Sequence, residues 1–263
     1  MVVVPKLEDV VLVSLLLAPA LMAVAAAIGQ RLGPSAAGWV AALPVSFASA
    51  VVAVTLDAGA RPASTMALSA GTHVPAQIVF AVAFAGVLSR RGLLAGAAAA
   101  VVTYVACSVA LSHVPDVIVV VSAIPALALA PRLLPAGWPS PASQTRRRAT
   151  ALTCAVSSLI VCAAVLTSRA VGPQAAGAVV AFPTMSTTLA VVLVTRDGRP
   201  AGAHALAGLV RSLPCYLVFC LVTVVATPTL GLAALALALP ACVAAGRATW
   251  RGVPVAHQPS PAG

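Results

Sequence analysis

The side chains best placed for chemistry in this chain are the few ionisable ones that fall inside apolar segments. Arg211 and His73 each lie near the middle of such a segment. A guanidinium in hydrocarbon costs roughly 3 kcal/mol or more, so Arg211 must face a protein interior or a water-filled cavity. All five acidic residues lie near segment ends, which leaves Arg211 without a neutralising partner at its own depth.

An unpaired arginine at this depth predicts an anionic ligand, such as a carboxylate or phosphate. Two other fates stay open for its side chain: hydrogen bonds to carbonyls near Pro183, or extension toward the inner surface. His73 predicts a proton-coupling group, because imidazole titrates near physiological pH. The alternative is a neutral histidine that hydrogen-bonds to Gln77, one turn later.

Prolines interrupt two apolar segments close to their midpoints, at Pro44 and Pro183. A proline inside a helix removes a hydrogen bond and frees a carbonyl. Hydroxyl groups follow both prolines, namely those of Ser46, Ser49, Thr184, Ser186, Thr187 and Thr188. Transporters use broken helices with freed polar groups to bind substrates and ions. The structural alternative is that the hydroxyls only bond back to the freed carbonyls.

We therefore predict a substrate-binding site in the middle of the membrane. Its candidate side chains are Arg211, His73, Ser46, Ser49, Thr184, Ser186 and Thr187. The candidate points of helix breakage and gating are Pro44, Pro183, Pro75 and Pro214. The six cysteines and four histidines show no metal-ligand spacing, so we predict neither a metal nor a cofactor. The chain also lacks H-E-x-x-H, G-x-S-x-G and Walker A sequences, which favours transport over catalysis.

The elements that position these residues must be membrane helices. Apolar residues make up 61% of the chain and charged residues 8%, against about half and about a quarter in soluble domains. A soluble fold of 263 residues cannot bury so much apolar surface. Strand-like alternation is absent, so we predict an all-α, polytopic membrane protein. The net charge of +10 comes from arginines at segment ends, where they contact lipid headgroups rather than nucleic acid.

A duplication relates the two halves of the chain. Residues 33–80 are repeated, in altered form, at 172–219, with an offset of 138–140 residues. Gly-Pro-x-Ala-Ala-Gly opens each copy, and its small residues predict close helix packing. Each copy also carries an aspartate and an arginine in the following turn, and we expect each arginine to pair with that aspartate or with headgroups. A duplicated unit in an apolar chain predicts a site between the repeats.

We predict about nine transmembrane helices. They lie near residues 9–29, 36–55, 64–88, 92–113, 115–131, 150–168, 174–195, 201–226 and 229–246. The first five form a repeat unit over 1–131, and the last four form a second over 150–246. A basic, proline-containing cytoplasmic linker occupies 132–149, and a short disordered cytoplasmic tail occupies 247–263.

The distribution of basic residues predicts the orientation. Eleven arginines fall on one side, and Lys6, Arg61 and Arg169 fall on the other. The richer side is cytoplasmic, so the N-terminus lies outside and the C-terminus inside. Because five spans precede the linker, the second unit enters from the opposite face, and the two units are predicted to be inverted. This count depends on 92–131 forming two spans rather than one.

The Gly-Pro-x-Ala-Ala-Gly element, the proline after it and the turn that ends in Arg61-Pro62 resemble small bacterial membrane proteins of the GlpM-like type. The chain is similar to a fused tandem of two such units. The resemblance implies a multi-pass protein of the bacterial cytoplasmic membrane. A looser similarity, to drug/metabolite transporters, rests on their two inverted helical repeats.

Three functions are consistent with these patterns. The first is a secondary transporter or flippase that moves a small anionic or lipid-linked solute by alternating access between inverted repeats. The second is an intramembrane enzyme or biosynthetic accessory that acts on a lipid-linked substrate. The third is a non-catalytic scaffold for partner helices. Membrane lipids are the expected surroundings, and homo-oligomer formation is left open.

Overall fold

All the regular elements that the structure describes are helices. The computed structural model describes residues 35, 39–40, 43–134, 159, 162–163 and 166–250. Its helices are α1 (Val45–Ala58), α2 (Ala60–Thr72), α3 (Val74–Arg91), α4 (Leu93–Leu111), α5 (Asp116–Leu133), α6 (Pro173–Ala181), α7 (Thr184–Asp197), α8 (Arg199–Leu230) and α9 (Leu235–Trp250). A 3-10 turn, Gly231–Ala234, joins the last two. The all-α prediction is confirmed for these residues.

The bundle is apolar outside and partly polar inside, which is the reverse of a soluble protein. Leu94, Val117 and Val243, on α4, α5 and α9, expose 86%, 74% and 59% of their surface. Gln77 and Thr223 are instead buried. Such a surface suits lipid, where polar groups must find partners inside the protein.

Five stretches of the described residues are long and apolar enough to cross a membrane. They are Val74–Arg91, Leu93–Leu111, Asp116–Leu133, Pro173–Asp197 and Arg199–Thr249. The fourth is interrupted at Pro183, and the fifth folds back on itself at Gly231, so that Gly246 on α9 lies against Cys215 on α8. These helices make the chain a helical membrane protein, as predicted.

Several predicted boundaries change in the structure. The segment 92–131 forms two helices joined by a short connection at 112–115, and both are long enough to be spans. The single span predicted over 64–88 is two helices that meet at His73. Helix α9 continues to Trp250 and so takes in the first four residues of the segment predicted as a disordered tail.

The structure adds little on three other predicted segments. The span 9–29 and most of the linker over 132–149 lie outside the described residues, as does the tail after residue 250. Of the predicted span 150–168, residues 159, 162–163 and 166–168 are described, and all of them are helical.

The backbone repeats its landmarks at one constant spacing. Helices α1 and α7 both have fourteen residues, and they begin directly after Pro44 and Pro183. Gly59 and Gly198 end them with φ of 97° and 86°, a region that only glycine adopts at little cost. Both pairs of residues are 139 positions apart. The variable offset read from the sequence is therefore a constant one in the fold.

The repeat also extends further along the chain than residues 80 and 219. Gly92 and Gly231, again 139 residues apart, both have positive φ and both stand before a further apolar helix. Those helices, α4 and α9, end at Leu111 and Trp250, which keeps the same spacing. Among the described elements α5 has no counterpart, and it therefore lies between the repeats rather than inside the first one.

Each repeat packs the start of its Gly-Pro helix against the other repeat. The Ser69 hydroxyl on α2 donates to the backbone carbonyl of Gln174 on α6, at 2.7 Å. The hydroxyl of Ser35 lies 3.3 Å from Nδ1 of His204 on α8, in a second hydrogen bond. The two contacts are reciprocal, because Ser35 and Gln174 occupy equivalent positions.

Polar contacts also mark the two ends of the bundle. Arg169 holds the largely buried Asp57 through both carboxylate oxygens, with Nε 2.7 Å from Oδ2. This contact replaces the predicted Asp57–Arg61 pair, and Arg61 is exposed. Elsewhere, Nη1 of Arg199 donates to the Ser89 carbonyl at 3.4 Å, at the end of α3. Asp197 is paired with Arg196 rather than with Arg199, at 3.6 Å.

Gly177 sets how closely α6 approaches α2. A Cβ there would lie 2.6 Å from Cβ of Ser69 and would also clash with the Met66 carbonyl oxygen. We expect Gly177→Ala to destabilise the fold by about 1–3 kcal/mol, because neither backbone can yield easily. Chemical denaturation in detergent micelles, followed by circular dichroism, measures this change.

Gly86→Ala is the matched control, since nothing lies within 4 Å of a Cβ at Gly86 on α3. It should leave stability unchanged or raise it by up to about 1 kcal/mol through better helix propensity. Equal effects of the two substitutions would show that close packing at Gly177 does not hold the repeats together.

Candidate functional site

The helices break at both central prolines, and the two breaks have similar geometry. Pro44 has φ of −74° and ψ of 40°, and Pro183 has φ of −78° and ψ of 55°. Each residue caps the helix that follows it. Before Pro183, α6 ends at Ala181, and Phe182 adopts an extended conformation. Carbonyl groups near each break therefore need partners other than the next turn of helix.

The two breaks face each other across a small central cavity of about 50 Å³. Its lining comes from the two breaks and from α3 and α8: Leu43, Pro44, Ser46, Phe47, Gln77, Val180, Ala181, Phe182, Pro183, Thr184, Met185, Ser186, Leu209 and Tyr216. None of these side chains is charged. A water molecule needs about 15 Å³ by the same measure, so the cavity has room for roughly three.

Gln77 closes one side of the central cavity. Its Nε2 donates to the Ala181 carbonyl at 2.6 Å, and the side chain is buried. That carbonyl is one that the break at Pro183 removes from the helical pattern. Gln77 therefore does what the sequence suggested for Arg211, and it does not bind His73. A long amide side chain with two donors is suited to this task.

Tyr216 stands opposite, at the position equivalent to Gln77 in the other repeat. Only 6% of the residue is exposed. Its hydroxyl lies beside Gln77 and Cys220, yet it forms no hydrogen bond of acceptable geometry with the described residues. A buried hydroxyl without a partner costs about 1–3 kcal/mol, so its presence in a cavity indicates a ligand or water site.

The predicted hydroxyl residues divide into two groups. Ser46, Thr184 and Ser186 line the central cavity, and Ser49 and Thr187 do not. Thr187 bonds back to the Pro183 carbonyl at 2.7 Å, and Thr184 donates to the Phe182 carbonyl at 3.2 Å. For these two threonines, the structural alternative describes the contacts observed. Ser186 is buried in the cavity wall.

Arg211 and His73 lie away from the central cavity. Arg211 is half-buried on α8 and forms no ion pair with the described residues. Nδ1 of His73 lies 2.6 Å from the Ser69 carbonyl, at the junction of α2 and α3. His73 borders a second, larger cavity of about 350 Å³. The structure therefore does not bring all seven predicted site residues together.

The outer pair of prolines behaves differently from the inner pair. Pro75 occupies the first turn of α3, where proline is tolerated, and the break itself falls at His73. Pro214, its equivalent, lies inside α8, which continues without interruption to Leu230. The predicted break at Pro214 is not seen, because membrane helices accommodate a proline when the surrounding bundle supports the freed groups.

Aromatic rings pack on both flanks of the central cavity. Phe182 contacts Phe80 and Tyr104 edge-on, with ring centroids 5.6 and 5.0 Å apart. On the other flank Phe47 contacts Tyr216 and Phe219, both at 5.6 Å. Phe80 and Phe219 occupy equivalent positions. The sequence analysis missed these rings together with Tyr216, although alignment at a constant 139-residue offset pairs Gln77 with Tyr216.

We expect Gln77→Leu to destabilise the protein by about 1–3 kcal/mol, because it leaves the buried Ala181 carbonyl without its donor. Denaturation in detergent measures the loss. Tyr216→Phe is the matched control at the equivalent position, since it removes a hydroxyl that has no partner. It should leave stability unchanged or raise it. A larger loss for the tyrosine variant than for the glutamine variant would contradict this assignment of polar contacts.

Comparison of the chain with family models, with curated proteins and with solved structures finds no match. The resemblance to the GlpM-like type therefore stays a prediction. What the chain does has to be inferred from the geometry of its two cavities.

Proposed function

We propose that the chain is a secondary transporter whose two inverted repeats meet at the central cavity. The observation that carries the proposal is the pair of facing helix breaks, with the unpartnered Tyr216 hydroxyl between them. Freed carbonyls and hydroxyls at the crossing of two broken helices form the usual binding site of inverted-repeat transporters.

The contacts at the ends of the bundle support an inverted arrangement. Helix α3 continues α2 beyond His73, so Gly59 and Gly92 lie at opposite ends of this pair. Gly59 directly follows α1. Its equivalent Gly198 adjoins Arg199, whose guanidinium lies 3.5 Å from a Cβ built at Gly92. Equivalent points of the two repeats thus sit at opposite ends of α2–α3. The positive-inside rule places the Gly92 end in the cytoplasm.

The size of the central cavity indicates a closed state. Space for about three waters is too small for an organic solute, whose sites are usually about 300–1,000 Å³. The repeats must therefore separate for a solute to bind, and the cavity would open to each side in turn. The breaks at Pro44 and Pro183 supply the points at which α1 and α7 can move relative to the helices before them.

Alternating access can be tested without knowing the solute. We expect Ser186→Cys, in a chain whose six cysteines are replaced, to react with a membrane-impermeant maleimide added to either side of sealed vesicles. The physical reason is that Ser186 borders a cavity that opens to both sides in turn. Labelling is measured by mass shift after each single-sided exposure.

Leu193→Cys is the matched control on the same helix, because Leu193 is 1% exposed and does not border the cavity. It should stay unlabelled. Reaction of Ser186→Cys from one side only would reject alternating access. Reaction from neither side would support the scaffold alternative.

Arg211 is the proposed anchor for an anionic group of the solute. Its charge has no acidic partner among the described residues, and its half-buried position leaves it partly desolvated. The equivalent residue in the first repeat is Thr72, which borders the larger cavity. By this equivalence, Arg211 stands at the approach to the central cavity from the cytoplasmic end.

We expect Arg211→Gln to reduce uptake of an anion-bearing solute at least about tenfold, the cost of losing one charge-assisted hydrogen bond. Arg211→Lys should retain part of it. Labelled phosphate, acetate and glycine are the probes, with proteoliposome uptake as the measurement. Arg61→Gln is the control, since Arg61 is exposed at the other end. Unchanged uptake by a normally expressed Arg211→Gln protein would remove Arg211 from the site.

A further inference from the structure

The larger cavity is a second candidate binding site. It has a volume of about 350 Å³ and lies between α2, α4, α5 and α6. Its polar lining consists of Ser69, Thr72, His73, Ser108, Ser112, Asp116 and Gln174. Gln174 is close to Gly172 and Arg169 in the chain, which places the cavity at the end marked by the Asp57–Arg169 pair. A volume of this size is typical of a site for a small organic molecule.

Most of the hydroxyl protons in this cavity are already committed to backbone carbonyls. The hydroxyl of Ser69 donates to the Gln174 carbonyl at 2.7 Å, and that of Thr72 donates to the Ser69 carbonyl at 2.8 Å. Ser112 donates to the Val109 carbonyl at 2.7 Å. A hydroxyl that has donated its proton offers a ligand only its lone pairs. These three side chains therefore act as acceptors toward the cavity.

His73 offers the same polarity. Its Nδ1 lies 2.6 Å from the Ser69 carbonyl, which can only accept, so Nδ1 carries the proton of the neutral ring. Nε2 is then an acceptor. Asp116, at the start of α5, is the only charged side chain among the lining residues, and it forms no ion pair with the described residues. The cavity therefore combines one negative charge with several uncommitted lone pairs.

Ser108 supplies an independent sign that a ligand is missing. Its hydroxyl oxygen is buried and has no hydrogen-bond partner among the described residues. Such a group costs about as much as a lost hydrogen bond unless water or a ligand occupies the cavity beside it. The hydroxyl can still turn its lone pairs toward a donor.

We propose that this cavity binds the ammonium group of a small solute. An ammonium group has three donors and no acceptor, which complements a lining made mainly of acceptors with one carboxylate. An anion would instead face Asp116 with few donors to offset the repulsion. The inference deepens the proposed function and rests on it for the solute's path: the transported solute then carries an ammonium group as well as the anionic group bound by Arg211.

The two repeats differ in charge at the positions that border this cavity. Thr72 and Ser108 border it in the first repeat, and their equivalents 139 residues later are Arg211 and Arg247. One end of the proposed path therefore presents acceptors and a carboxylate, and the other presents guanidinium groups. A solute with charges of both signs suits this asymmetry better than a simple anion does.

Equilibrium binding tests the inference without requiring transport. The full chain is placed in nanodiscs of uncharged lipid and titrated with ethylammonium chloride by isothermal calorimetry. We expect saturable binding that Asp116→Asn weakens at least about tenfold, through loss of the charge-assisted contact. Asp116 is exposed, so this change should not affect folding, and thermal unfolding of the variant checks that it does not. Asp197→Asn, near the other end, is the control and should bind as the natural chain does.

Each outcome decides the question. Absence of ethylammonium binding, or equal binding by the natural chain and Asp116→Asn, overturns the proposal. Binding of phosphate that survives Asp116→Asn, without ethylammonium binding, also overturns it in favour of an anion site. Ethylammonium binding that depends on Asp116, in a protein whose Ser186→Cys variant is labelled from one side only, supports the ammonium site and rejects alternating access.

Discussion

The main constraint on this structure is that backbone carbonyls released inside an apolar bundle must find partners in the protein itself. Lipid offers none, and an unsatisfied group costs several kcal/mol. Two prolines release such groups at equivalent points, so the bundle must bring donors to both. The amide of Gln77, carried by α3, reaches the Ala181 carbonyl from a helix that precedes the broken one by about a hundred residues. The register of α3 against α6 is therefore tied to the break, and the break is tied to the position of the central cavity.

The two repeats meet this requirement unequally, and the inequality produces the polar character of the site. At the second break, Thr184, Ser186 and Thr187 follow the proline, and two of them bond to nearby carbonyls. Their equivalents at the first break are Val45, Phe47 and Ala48. Gln77 has a bonding partner, and its equivalent Tyr216 has none. A fully symmetric cavity would satisfy every group or leave the same ones open in both halves. Divergence after duplication instead concentrates the open positions on one side of the cavity.

Local features of the sequence were sufficient to predict the breaks at Pro44 and Pro183, because the effect of a proline on its own helix needs no knowledge of the fold. Features that depend on distant contacts were not predictable in this way. Asp57 pairs with Arg169, 112 residues away, rather than with nearby Arg61. Pro214 was expected to break its helix, yet α8 runs through it. Gln77 was considered only as a neighbour of His73. In each case the deciding partner lies on another helix, and the sequence shows only the type of side chain.

The two cavities also differ in a way that bears on how a solute would pass between them. The larger one contains a carboxylate and committed hydroxyls, and the central one contains no charged side chain. A solute that leaves Asp116 for the centre must give up a charged contact and accept hydroxyls and freed carbonyls in its place. Those carbonyls are acceptors held in fixed positions by the helix breaks, so an ammonium group meets dipoles of the same sense at both stages. The anionic group has no such continuity on this side, because the arginines equivalent to Thr72 and Ser108 stand in the other repeat. Its first strong contact would come only after the centre opens toward Arg211, which makes opening of the central cavity the step that selects for the second charge.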